Sequence, residues 1–549
     1  MKYALTLAIM MSLTFGMVDQ SFRLQSTAGL FGDDYDLLFD PGRILEIQGS
    51  RLWTNLANLV NTYETPFNNG SVPYILIGGV TKLGQIYPAL VYDRSNRKIA
   101  QATGIDDVNG YEIYGDAVRT TIDWNDLDNN GSYDQRLVST RTASAYDNTQ
   151  TNDIYLAAAS KFSNIRLGLG FLHEEYKDIF TDPDNNFSFD TTAEDLTGPA
   201  PITVFEANGG FGGDQNYNYS DNDIRFSGWL DQEKVSFGLN ASFDMFNNTV
   251  KALILGDTAI HTNPADTTVF HTAANVLDST DSPWSGTNID VELKAFYNYN
   301  ANAQGRFYLG VYTESYDYSS GAREYYHKGR LASYTTFTWD TTNTWTIPSG
   351  GGNEKGISLG TRHLFTVSEK LKFGIGLLFS TASYYDSTAE FDTSMAIQVY
   401  DDNDGISFDP NDYRRETWST ETWMTRTTGR THNLTIPVGV EFYLAQPLVF
   451  RLGAEHSYTL DDYTTIENQI QYTPTRVRTV DGTGTVTETV IDPGPAPIGS
   501  EQTHFDKTPV TNYYYGIGWN VTDNLQIDLM GFAKLTDLSL WRLSATLKF

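Results

Sequence analysis

The chain has 549 residues, a formal net charge of −31 and no cysteine. These values exclude a disulfide framework and thiolate metal sites, and they oppose a nucleic-acid partner, whose phosphates require clustered Lys and Arg. After the N-terminus no apolar run is long enough for a membrane helix, yet 34 Tyr, 30 Phe and 10 Trp supply the aromatic residues that membrane interfaces favour.

Residues 1–16 read as a secretory signal. Lys2 supplies the charge, Leu5–Phe15 the apolar core and Thr14-Phe15-Gly16 the cleavage site. Residues 17–49 follow, containing Asp33, Asp34 and the turn-forming triplet Asp40-Pro41-Gly42. The first strand is expected near 50–60, although Leu52, Leu56 and Leu59 also fit helical spacing.

From residue 150 onward one unit repeats: two alternating strands around a short polar turn such as Ser163-Asn164 or Thr522-Asp523-Asn524. Ile289, Val291, Leu293 and Ala295 occupy one face of such a strand, with Asp290, Glu292 and Lys294 on the other. Long polar segments at 94–152, 178–222, 247–288, 317–355, 385–430 and 460–509 separate the hairpins. Soluble sandwiches join their strands with shorter connections. Short turns on one side and long loops on the other are the outer-membrane pattern.

The expected fold is therefore all-β: a single antiparallel transmembrane β-barrel over 50–549, with short periplasmic turns and long extracellular loops. Down-strands are placed near 73–81, 153–162, 223–230, 289–300, 356–367, 431–444, 510–521 and 539–549, and up-strands near 86–93, 165–177, 234–246, 304–316, 371–384, 447–459 and 524–533. With the strand near 50–60 these make about sixteen, about fourteen being the alternative. Within 94–152 the runs Tyr111–Trp124 and Tyr133–Tyr146 are expected to extend the sheet above the membrane.

The last strand alternates through Trp541, Leu543, Ala545, Leu547 and Phe549. It resembles the assembly signal of bacterial outer-membrane barrels. That resemblance implies handling by the barrel-assembly machinery and residence in the cell outer membrane, among lipid and lipopolysaccharide. The segment 28–44 resembles the N-terminal signature of FadL-type and PorV-like barrels. Asp33 and Asp34 match the acidic pair, and Asp40-Pro41-Gly42 stands where the family has Asn-Pro-Ala, departing from it by Asp for Asn and Gly for Ala. The resemblance implies that residues 17–49 fold inside the barrel as a hatch, and that the cargo is hydrophobic.

Alternation assigns Arg166, Arg225, Asp290, Glu292, Lys294, Arg306, Glu314, Lys372, Glu441, Arg451, Glu455, Asp528, Arg542 and Lys548 to the lumen. Such charges either set the polarity of a path or pair across strands to brace the wall. They suit small polar solutes better than fatty acids. The expected function is passive passage of small solutes through a charged lumen. The alternatives are FadL-type transport of hydrophobic compounds and a surface or adhesion barrel whose acidic loops bind cations.

In one loop Asp126, Asp128, Asn130 and Asp134, with Gly131 between them, follow the first part of a calcium loop. Leu137 stands where the bidentate Glu belongs. Asp182–Asp190 and Asp401–Asp409 have poorer spacing. No cofactor is required, and calcium is a candidate ligand of the loops alone. No H-E-x-x-H or glycine-rich phosphate loop occurs and the eight His are scattered, so no enzyme is expected.

Overall fold

Strict alternation gives each strand one lipid-compatible face and one polar face, and closing the sheet leaves no unpaired edge in lipid. The computed structural model describes residues 20–57, 75–181, 186–262, 271–318, 321–332, 336–347, 350–401, 409–445, 447–492, 494, 499–530 and 542–549. The signal segment 1–16, Trp541 and parts of the runs Asp182–Asp190 and Asp401–Asp409 lie outside them. No helix among the described residues is long and apolar enough to cross a membrane.

The barrel strands are β1 (Arg51–Ala57), β2 (Ile75–Val80), β3 (Ile86–Ala100), β4 (Tyr146–Phe162), β5 (Ile165–Thr181), β6 (Ile202–Asp231), β7 (Val235–Thr262) and β8 (His271–Asn300). The remainder are β9 (Ala303–Tyr318), β10 (Gly350–Ser368), β11 (Leu371–Asp401), β12 (Tyr413–Ala445), β13 (Leu448–Tyr472), β14 (Glu501–Thr522), β15 (Leu525–Met530) and β16 (Arg542–Lys548). Each pairs antiparallel with the next, and β16 returns to β1 from Arg51↔Lys548 to Ala57↔Arg542. The Ser50 N–H donates to the Phe549 carbonyl at 2.9 Å and the Phe549 N–H to the Ser50 carbonyl at 3.2 Å, finishing the seam. The result is a closed antiparallel barrel of 16 strands, as the larger expected count requires.

Residues 51–57 form a strand rather than a helix because both edges are paired, to β2 and to β16. Alternation then points Leu52 outward (43% exposed) and Trp53 inward (4%). The same parity leaves Leu169, Leu293, Leu309, Leu359 and Leu377 exposed on the outer wall. An apolar belt of that extent belongs in hydrocarbon. The molecule is an outer-membrane barrel.

The long polar segments differ from the expectation of simple loops, for much of them is strand. β6 has 30 residues and β12 has 33, against the about 9–11 that cross a bilayer. Beyond the membrane both faces meet water, so the apolar alternation disappears while backbone pairing continues. Hairpins at Asp116–Asn125 with Gln135–Ser144, Gly321–Ala332 with Thr336–Ile347, and Thr475–Asp481 with Val486–Ile491 widen this outer sheet. The first falls on the two runs expected within 94–152.

Candidate functional site: the lumen and the segment within it

Residues 20–49 follow an irregular course against the inner wall. A short helix, Phe22–Ser26, is capped by Ser21, whose Oγ accepts the Leu24 N–H at 3.0 Å. A 3₁₀ turn, Pro41–Glu46, begins with Pro41, whose missing N–H costs nothing at that position. Asp40 precedes it but makes no side-chain cap, because its carboxylate reaches the wall instead.

Two inward glycines make room for this backbone. A Cβ on Gly168 would collide with the Pro41 carbonyl carbon and the Gly42 nitrogen, and one on Gly453 would lie 2.6 Å from the Ala28 nitrogen. Leu38, Ile44 and Ile47 pack on Trp53, Leu76, Val91 and Tyr155, forming an apolar cluster against β1–β5. The Tyr155 hydroxyl donates to the Leu38 carbonyl at 2.7 Å.

Charge fastens the segment on opposite sides. Asp40 accepts bonds from Ser227, from the Trp229 indole at 3.0 Å and from Asn240 at 3.0 Å, and it pairs with Lys294 at 3.3 Å. Glu46 takes Arg43 at 2.8 Å and also Arg166, which reaches on to Asp231 at 2.7 Å. Across the lumen Arg23 grips Glu441 through two bonds of 2.7 Å. Glu441 also meets Arg451 at 3.2 Å and Lys372 at 3.8 Å, and Arg451 pairs with Asp528. Asp34 accepts from Arg51 at 2.7 Å, while Asp33 accepts the Tyr35 N–H at 2.8 Å.

The segment's own carboxyls respond to these surroundings. Burial would raise Asp40, but Lys294 and Arg43 hold it below the usual range. Glu46 is likewise held low against burial by Arg43 and Arg166. Asp33 is pushed up to about 8 by burial, then by Asp36 and Asp528.

On the extracellular side of the Asp40 anchor, carboxylates meet one another in register. Asp93 opposes Asp153, Asp153 opposes Glu174, and Glu174 opposes Asp221. Asp223 opposes Asp244, Asp244 opposes Asn288, Asn288 opposes Glu314, and Glu314 opposes Glu354. This acidic ladder runs along the inner wall from β3 to β10. Asp153, Asp93 and Asp223 are only 1%, 2% and 4% exposed. Among the described residues its oxygens form no three-carboxylate cage.

The other expected lumen residues distribute around these features. Arg225 pairs with Asp223 and covers the Tyr155 ring at 5.8 Å. Glu292 pairs with Lys294 at 2.9 Å, Asp290 opposes Tyr312, and Arg542 lies 5.7 Å from the Phe22 ring. Glu455 opposes Asn512 across β13 and β14. Arg306 and Lys548 line a cavity of ≈ 530 Å³ bounded by the segment and the short-turn end of the wall. On β16 Leu547 is exposed, as is Phe549 at 67%, while Leu543 and Ala545 are half-buried. Ser227, Trp229, Asn240, Arg23, Asp153 and Asp244 escaped the sequence reading. Inward parity continued along the full strands would have flagged the wall residues among them.

In the outer loop Asp126, Asp128 and Asp134 have oxygens within 4.8 Å of one another. Backbone amides already occupy them: Gly131 N–H on Asp126 at 2.8 Å, Asn130 N–H on Asp128 at 3.1 Å and Leu127 N–H on Asp134 at 2.8 Å. The Asn130 side chain accepts the Ser132 N–H at 2.8 Å. A turn rich in Asp, Asn and Gly adopts this arrangement with or without an ion.

No family model and no curated protein matches the chain. Among solved structures, a FadL homologue of Pseudomonas aeruginosa is 8% identical with a TM-score of 0.26, over 97% of this chain and 99% of that one. The toluene transporter TodX of Pseudomonas putida is 9% identical with a TM-score of 0.24, over 82% and 97%. The FrpB iron transporter of Neisseria meningitidis is 10% identical with a TM-score of 0.27, over 94% and 83%. A FadL-type barrel is thus among the similar structures. At these scores the likeness carries no weight for function, which rests on the chain's own residues.

Proposed function

We propose that the barrel transports small polar solutes across the outer membrane, prefers cations, and uses residues 17–49 as a hatch that must shift for passage. The observation that carries this reading is the acidic ladder above the segment. Like charges directly opposed across strands destabilise a sheet, so their accumulation on one wall is best explained by what they attract. Carboxylate rings favour cations in aqueous pores. The ion pairs of Asp40 and Arg23 hold the segment in place and supply contacts that can be released.

Purified protein in planar bilayers tests both parts. Under a potassium chloride gradient the reversal potential should lie toward the potassium equilibrium value, and Arg23→Gln should raise conductance by freeing the segment. Anion selectivity, or silence in wild type and variant alike, would refute the reading. A second reading, uptake of hydrophobic compounds, is favoured by one observation: beneath the segment the inner face of β1–β5 is apolar. It predicts electrical silence together with saturable binding of an aromatic hydrocarbon such as toluene.

A further inference from the structure

Arg306 on β9 and Arg362 on β10 are direct partners across the antiparallel pair. Both face the ≈ 530 Å³ cavity. Two like charges in opposed positions cost stability, and a guanidinium removed from water needs its N–H groups satisfied. Neither residue joins an ion pair among the described residues. Arg306 donates Nε to Gln304 at 2.8 Å and lies beside the Tyr308 hydroxyl. Arg362 donates one terminal N–H to the Gly29 carbonyl at 2.8 Å, and its buried Nε has no partner. Their faces are covered, Arg306 lying 5.1 Å from the Phe296 ring and Arg362 5.3 Å from the Tyr308 ring. Their edges therefore hold unused donors.

The carboxylates around the cavity are engaged elsewhere. Asp34 is held by Arg51, Asp40 by Lys294, Glu46 by Arg43 and Arg166, and Asp36 by the Ser21 hydroxyl and N–H. Asp33, pushed up to about 8, carries its proton for most of the time at neutral pH. Glu455 is within electrostatic reach of Arg362 without pairing with it. A third cation, Arg43, sits 5.0 Å from the same Phe296 ring as Arg306.

We propose that Arg306 and Arg362 together form a binding site for a small oxyanion bearing a carboxylate or phosphate group, which occupies the cavity between the segment and the wall. Guanidinium forks match such groups bidentately, and the cavity falls within the size range of ligand sites. The bound anion removes the cross-strand repulsion and takes up the spare donors. The site stands independently of the transport reading, because occupancy is measured at equilibrium without conduction.

The test uses the full chain in detergent, titrated with sodium phosphate and with sodium succinate at constant ionic strength, read by calorimetry and by melting temperature. At least one anion should bind and raise the melting temperature of the wild type. Arg306→Gln and Arg362→Gln should each weaken binding by about tenfold or more, and without anion neither should melt below the wild type. Lys161→Gln, at the exposed short-turn end of β4 and away from the cavity, should bind as the wild type does. Arg306→Lys keeps the charge without the fork and should retain only part of the affinity, a readout available if a Gln variant fails to fold. Response to phosphate alone or to succinate alone identifies which source the site prefers. No heat and no melting shift from either anion, or full binding retained in the Arg306→Gln/Arg362→Gln pair, overturns the site.

Discussion

Asp40 and Trp229 are 189 positions apart in the chain, yet the indole N–H donates to the carboxylate at 3.0 Å. That bond, with those from Ser227, Asn240 and Lys294, fixes an irregular segment to a rigid wall. Attachment through buried polar groups is strong when complete and weak when one member is lost.

Asp40→Ala should therefore loosen the segment far more than an average substitution. It strands Lys294 beside Glu292 alone and leaves the Trp229 indole without its acceptor. Breaking one side of a buried pair costs about 3–5 kcal/mol. Faster proteolysis within residues 20–49 and a rise in single-channel conductance are expected, with the barrel itself still folded. A cleavage rate equal to the wild type would refute the anchoring role.

A steric route to the same end runs through Gly168. Any side chain there meets the Pro41–Gly42 backbone, so Gly168→Leu should displace the segment while leaving β5 paired. Gly228→Ala is the control, since its Cβ would make only an ordinary 3.5 Å contact with Leu167. Proteolysis within residues 20–49 should speed up in Gly168→Leu and stay at the wild-type rate in the control.

Acid and alkali should both release the segment, for opposite reasons. Asp40 is depressed in the docked state, so its contribution is present above the usual carboxylate range and is lost as pH falls through its lowered value. Asp33 is raised to about 8, so the docked segment holds a proton that the free one gives up near pH 4. Its contribution is full below about pH 4 and fades as pH rises through 8. Proteolysis of residues 20–49 should be slowest in weak acid and faster at pH 9. Asp33→Asn should flatten the alkaline limb; an unchanged limb assigns it to another group.

The acidic ladder makes a claim about stability as well as selectivity. Asp153 faces Asp93 on one side and Glu174 on the other. Asp153→Asn removes both oppositions, each of which weakens the strand pair it spans. The variant should melt higher than the wild type at neutral pH and show a smaller cation preference in bilayers. A lower melting point would mean that the carboxylate is structural.

The barrel was legible because lipid imposes a rule on every second residue: Ile289, Val291 and Leu293 announce a wall strand before any partner is known. Where both faces meet water the rule lapses, and the outer halves of β6 and β12 looked like loops. Asp40-Pro41-Gly42 was visible as a motif, but its own residues describe only a turn. Its role depends on Ser227, Trp229 and Asn240, which only the closed barrel brings to it. The opposition of Arg306 to Arg362 depends in turn on strand register, and a one-residue slip would have pointed one of them at lipid.

The seam between β1 and β16 has a consequence for assembly. Ser50 leads straight from the inner segment into β1, so the strand that locks the cylinder also leashes the piece it encloses. Once those edges have zipped, the piece could enter only by being threaded through the rim. Gathering it in before, or together with, the final closure spares that threading, and a chain whose edges meet too early must pass the piece through the barrel mouth.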